Sequence, residues 1–180
     1  MESIVALAGR RIDLPDASPR RFPACNVERV ERAIQMELKK QHASWLVSSA
    51  AAGVDLIGVK AALSLGVGCR IVLFAGVREF AQKSVADQGP YWEREFELQV
   101  SVIRPENVIL VPAKATDSDT FKSVNERILN EVVALASSRS SRTISIAAWE
   151  GLPKEKDDFT VDFIERANAM HIPVFKVSTL

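Results

Sequence analysis

The sequence predicts an α/β protein, a single Rossmann-like three-layer domain over residues 1–180 with a mainly parallel sheet. Three observations carry this expectation. Short β-branched runs alternate with longer helical patterns along the whole chain. Such alternation implies right-handed crossovers and a sheet covered on both faces. The length, 180 residues, suits one domain with a real core, and no repeat, low-complexity tract or linker interrupts it.

"SIVALAG" (3–9) reads as a buried strand. A helix follows over "NVERVERAIQMELKKQ" (26–41), with Asn26 as its N-cap and Val27, Val30, Ile34 and Leu38 at helical spacing. "WLVSS" is a second strand, and "GVDLIGVKAALSLG" a helix ending at Gly66. "RIVLFAG" (70–76) is the third strand. The stretch after it predicts a short helix, a Gly-Pro turn at 89–90, and a helix through Trp92, Phe96 and Val100. "NVILVPA" (107–113) is a fourth strand, and the long helix after it is expected to be capped near Ser118 or Asp119. "RTISIAAWEG" (142–151) is a fifth strand, "DFTVDFIERANAM" a helix, and "IPVFKVS" a last strand.

Lysine plus arginine balances aspartate plus glutamate, 23 against 23, which argues against nucleic-acid or membrane binding through net charge alone. The start "MESIVALAGRRID" lacks a signal-peptide pattern, and no apolar run approaches the ~20 residues that cross a bilayer. Cys25 and Cys69 have no CxxC spacing, and His42 and His171 complete no familiar zinc pattern with them. The expectation is a cytoplasmic protein with no membrane partner, no metal and no cofactor.

Ligands of such a sheet bind outside the carboxyl ends of the strands, where strand order reverses. Loops 9–13, 48–53, 112–120 and 149–160 leave strand ends and are expected to converge there. The loop "SSAAAG" has two readings. Ser48, Ser49, Ala50, Ala51 and Gly53 would let a phosphate-bearing ligand touch backbone amides at a helix start; alternatively they let the helix cross close to the sheet. Asp55, in the first helical turn, would accept from ribose hydroxyls. Gly9, Arg10 and Arg11 follow the first strand, and the arginines would clamp a phosphate or carboxylate, or else pair with nearby acids. Trp149 would stack on a base or close the core; Glu150, before Gly151, would bind hydroxyls or act in acid–base chemistry. "KEKDD" (154–158) reads as a solvated loop. No GxGxxG, GxxxxGK[ST] or GxSxG motif is present.

Together, "LAGRRID…RFP", "LVSSAAAGVDLIGVKAALSLGVGCRIVLF", "SVADQGPYW" and "AAWEGLPKEKDDFTVDFIERANAMHIPVF" resemble the SLOG superfamily. These are Rossmann-like domains related to the "lonely guy" phosphoribohydrolases and the DNA-processing DprA/Smf proteins. Gly53, Asp55, Ala62 and Leu63 sit where the DprA-like pattern places them. The phosphoribohydrolase glycine loop corresponds to "KDDFTVDF", where Thr160 matches but Asp157, Asp158 and Phe159 replace glycines; Val59 stands in place of the DprA helix histidine.

The resemblance implies a sensor-type module that binds a nucleotide-derived small molecule, of ADP-ribose-like or cyclic-nucleotide class. It would act as a homo-oligomer or through a separate effector protein. Enzymatic activity is left open: the alternative is a phosphoribohydrolase cleaving a nucleoside monophosphate, with Glu150 or Asp55 catalytic. A further alternative, DprA-like single-strand DNA binding, wants a basic groove that zero net charge does not favour.

Overall fold

A computed structural model describes residues 1–180. The strands are β1 (Ser3–Gly9), β2 (Ala43–Ser48), β3 (Gly68–Phe74), β4 (Val108–Val111), β5 (Arg142–Ala148) and β6 (Val174–Val177). The helices are α1 (Val27–Lys40), α2 (Val54–Ser64), α3 (Val77–Ser84), α4 (Pro90–Val102), α5 (Asp117–Arg139) and α6 (Phe159–Ala169). The strands form one sheet, ordered β4-β3-β2-β1-β5-β6, with every neighbouring pair parallel. The expected α/β three-layer fold is what the chain adopts.

Sheet order sets the layers. Right-handed crossovers from β1 through β4 march in one direction and place α1, α2 and α4 on one face. The chain then jumps to β5 and β6 on the other side of β1, which places α5 and α6 on the opposite face. Direction therefore reverses between β1 and β5, and a crevice opens at the carboxyl ends of those strands.

Burial explains each helix's composition. In α1 only Val30, Ile34 and Leu38 are buried, one stripe of a surface helix. In α2, Val54, Leu56, Ile57, Gly58, Val59, Ala61 and Ala62 are all buried, because the helix lies between the sheet and α1. That is why its sequence is apolar on nearly every side. No helix is long and apolar enough to cross a membrane.

Caps differ from the sequence expectation at two helices. Asn26 makes no side-chain cap; its Nδ2 donates instead to Thr179 O at 3.0 Å, fastening α1 to the chain's last residues. The cap of α5 is Thr116, whose hydroxyl accepts from Asp119 N–H at 3.0 Å, two residues before the expected Ser118. Ser/Asp-rich starts such as "TDSD" offer several capping oxygens, and the incoming chain direction chooses among them.

Candidate functional site

A cavity of about 300 Å³ occupies the crevice at the β1/β5 reversal. Its walls come from the end of β1 (Ala8 to Arg11), the β2–α2 segment (Ser49, Ala51, Asp55), α3 (Phe80, Ser84), α5 (Phe121, Val124, Asn125) and the stretch into α6 (Lys154, Asp157, Phe159, Thr160). Three of the four predicted loops contribute. The 112–120 loop contributes none; the first turns of α5 stand in its place.

The small-residue loop is explained by packing. The segment after β1 runs antiparallel across Gly53: Ile12 N–H donates to Ala52 O at 3.3 Å, and Val54 N–H to Arg10 O at 3.0 Å. A Cβ on Gly53 would lie 2.6 Å from Arg10 O and 2.6 Å from Ile12 N, with φ at +121°. Ala51 N–H donates to Ser49 Oγ and Ala52 N–H to Ser84 O, so these amides of the loop are engaged within the protein. Gly53→Ala is therefore expected to cost at least about 2 kcal/mol, through strain and a displaced 10–12 segment, read as a lowered urea midpoint. Ser48 donates to Leu7 O at 2.8 Å, away from the cavity, and Ala50 is buried beneath the loop.

Arg10 borders the cavity, but its guanidinium is committed elsewhere. Nε and Nη2 donate to the two carboxylate oxygens of Glu150 at 2.7 and 3.1 Å, and Nη1 to Asp158 Oδ1 at 2.6 Å. Nη2 also donates to Leu152 O at 2.8 Å. Arg21 joins the cluster through Glu150 and through Leu152 O at 2.6 Å. The side chains of Arg10, Glu150 and Asp158 are 3%, 1% and 7% exposed, so a phosphate clamp by Arg10 would have to break a buried network. Burial alone would raise the carboxyls of Glu150 and Asp158. Hydrogen bonds and charge from Arg10 overcome it and hold both below their usual range. Burial likewise pulls the Arg10 guanidinium down, and its two acids more than reverse this.

Trp149 and Glu150 thus sit apart from the cavity. The tryptophan ring is approached by two cations, Arg10 at 5.4 Å from its centroid and Lys176 at 5.8 Å. Gly151 is exposed with φ of +91° and turns the chain into the loop. Asp158 caps α6, accepting from Thr160 and Val161 N–H at 3.1 Å each, so its carboxylate occupies the helix start itself. Arg11 borders the cavity and pairs with Asp87 at 2.5 Å, partly exposed.

Asp55 has a different environment. Its Oδ2 accepts from Ser49 Oγ at 2.6 Å, while Oδ1 is buried with no hydrogen-bond partner. Burial pushes the carboxyl up from 3.8 to about 6, against opposing contributions from Ser49, the Gly9 amide and the charge of Arg11. The α2 dipole also favours its charge, and burial still prevails. Ser84, 2% exposed, likewise leaves its Oγ unpartnered.

Of the predicted residues, Gly9, Arg10, Arg11, Ser49, Ala51, Asp55 and Thr160 meet at one cavity. Ser48, Ala50, Gly53, Trp149, Glu150 and Gly151 stand outside its lining. The sequence reading omitted Ser84, Asn125, Lys154 and the rings of Phe80, Phe121 and Phe159. Asn125 carried a signal, since it occupies the helical face that Phe121, Ile128 and Val132 share. Its Nδ2 donates to Phe159 O at 2.8 Å and Asp162 Oδ2 at 2.9 Å, joining α5 to α6 beside the cavity. The rings are linked through the core: Phe121 lies 5.0 Å from Phe159 and 5.6 Å from the buried Phe74, which lies 5.1 Å from Phe80.

No protein-family model matches the chain. No curated protein matches it. Among solved structures it is similar to DNA processing protein A (DprA) from Streptococcus pneumoniae, with 16% identity and a TM-score of 0.46 over 97% of this chain. It is also similar to the Moco carrier protein from Chlamydomonas reinhardtii, with 15% identity and a TM-score of 0.35, over 97% of this chain and 89% of that one. The chain spans 59% of the length of the DprA chain.

Proposed function

We propose that the cavity binds a nucleotide or nucleotide-derived ligand, of ADP-ribose-like or cyclic-nucleotide class, and that the domain serves as a sensor for it. The observation that carries this reading is Asp55: a carboxylate on the wall of an aromatic-sided cavity, with one buried oxygen that makes no well-formed hydrogen bond. A buried acceptor left unpaired costs free energy, which favours any ligand hydroxyl that engages this carboxylate. A ribose hydroxyl donating to Asp55, with a base against Phe121 and Phe159, uses both features of the wall.

Size narrows the choice. About 300 Å³ is at the small end of ligand cavities, so one nucleoside unit is enclosed and any second half remains in solvent. Calorimetry with AMP, ADP-ribose and cyclic ADP-ribose is expected to show saturable heat for at least one, with ADP-ribose no tighter than AMP by more than about threefold. Folded protein giving no heat with any of them sinks the reading.

A second reading, cleavage of an N-glycosidic bond, rests on the same carboxyl. Asp55, with its pKa near 6, would stabilise positive charge developing on the sugar. Glu150, paired with Arg10 and Arg21 outside the cavity lining, is not the group this reading uses. Chromatography of the calorimetry mixtures tests it: free base must accumulate with wild type and not with Asp55→Asn.

A further inference from the structure

We propose that Lys154 is the anion-holding side chain of this cavity, fixed at its rim by the buried ionic cluster around Arg10. The inference rests on the cavity being a ligand site, and assigns within it the group that would meet a phosphate.

Three cationic side chains border the cavity, and two are already paired. Arg10 is held by Glu150 and Asp158, and Arg11 by Asp87. Lys154 has no acidic partner. Two carboxylates line the cavity, Asp55 and Asp157; they accept from Ser49 Oγ at 2.6 Å and Ser118 Oγ at 2.8 Å, and neither forms an ion pair with Lys154. Lys154 is thus the one cation on the wall with no ion-pair partner. Partial desolvation lowers its ammonium pKa, the guanidiniums of Arg10 and Arg21 lower it further, and Asp158 and Glu150 offset only part of this. An anion arriving there relieves that repulsion.

Backbone contacts explain why this lysine, on an exposed loop, keeps its place. Residues 151–157 are all exposed and supply no apolar anchor. The cluster supplies it instead. Leu152 O accepts from Arg10 and Arg21 at 2.8 and 2.6 Å, and Lys154 N–H donates to Asp158 Oδ2 at 2.7 Å. The backbone leading into Lys154 is tied to the charged cluster at two points, so the ammonium is presented to the cavity at lower entropic cost than that of a free surface lysine. Arg10, the residue that sequence alone offers as a phosphate clamp, acts on the anion indirectly by holding the loop.

The test uses AMP, adenosine and inorganic phosphate at low ionic strength, with wild type, Lys154→Met, Lys154→Arg and Lys156→Met. Lys156 is exposed on the same loop and does not line the cavity, so it controls for diffuse charge. Wild type is expected to bind AMP more tightly than adenosine. Lys154→Met should weaken AMP about tenfold, to the adenosine level, with adenosine itself unchanged within about twofold. Lys154→Arg should restore most of the loss, Lys156→Met should cause none, and inorganic phosphate should compete with AMP but not with adenosine.

The proposal is overturned if Lys154→Met leaves AMP affinity intact, or if both methionine variants weaken it equally. Adenosine bound as tightly as AMP by wild type removes Lys154's role while the nucleoside site stands. Neither compound binding removes the site and this inference together.

Discussion

Asp55→Asn is expected to make the protein more stable at pH 7.5 while weakening its hold on ligand at least tenfold. The stability gain follows from linkage. Burial raises the Asp55 carboxyl from 3.8 to about 6 in the folded chain, so the folded state takes up a proton more readily than the unfolded one. The stabilisation belonging to the protonated form is complete below about pH 4 and is lost as pH rises through about 6. Above that, wild type carries a penalty of roughly 2–3 kcal/mol that asparagine, of nearly the same shape, does not incur. The melting temperatures of the two proteins should coincide near pH 4, separate between pH 4 and 6, and differ by about 4–9 °C at pH 7.5.

Weakened binding has the same origin, because asparagine offers a ligand hydroxyl a neutral acceptor in place of a carboxylate. A carboxylate that served only to start α2 would behave oppositely. Its replacement would lower the melting temperature at pH 7.5 and leave calorimetry unchanged, and that pair of results removes Asp55 from the proposed site. Retaining a destabilised buried group is what a functional position looks like in physical terms.

Arg10→Met is expected to be the most damaging single change outside the apolar core. The methionine follows the arginine stem but strands Glu150 and Asp158, both under a tenth exposed, without their main partner. Breaking a buried pair from one side costs about 3–5 kcal/mol, on the order of 10 °C in a chain of this size. Depressed carboxyls give a definite pH signature. The stability they contribute is present above the ordinary carboxylate pKa and disappears as pH falls through their lowered values. Urea midpoints of wild type should hold from pH 5 to 8 and drop below about pH 4, whereas Arg10→Met should show a much shallower acid limb. A loss under about 1 kcal/mol at pH 7 would place the cluster with solvent-screened surface pairs, and the 150–158 loop would need another anchor.

The layered fold was legible from local pattern alone. β-Branched runs and helical spacings are properties of neighbouring residues, and alternation leaves little choice but a wound parallel sheet. The crevice was legible for the same reason, since it follows from strand direction and connection handedness. Asp55 was legible because a single acid at the start of an otherwise apolar helix requires some account.

Which cation would serve the cavity was not legible. Arg10 directly follows β1 and has the chemistry of a phosphate clamp, yet the carboxylate that takes it lies 140 residues further along the chain. Lys154 sits in "KEKDD", a run with every mark of a solvated loop, and its standing depends on Arg10, Arg21 and Asp158 arriving from both ends of the chain. Charge pairing is settled by distance in space, and sequence spacing says nothing about it over such separations. The small-residue loop makes the same point. Its composition allowed either a ligand or another stretch of backbone to lie against Gly53, and only folding showed that residues 10–12 take that space. Sequence by itself determined the architecture and the edge of the sheet where chemistry can occur. Tertiary structure decided which charges pair with one another there and which, Asp55, Lys154 and Asp157, have no ion-pair partner, because desolvation and pairing depend on neighbours that only the closed fold supplies.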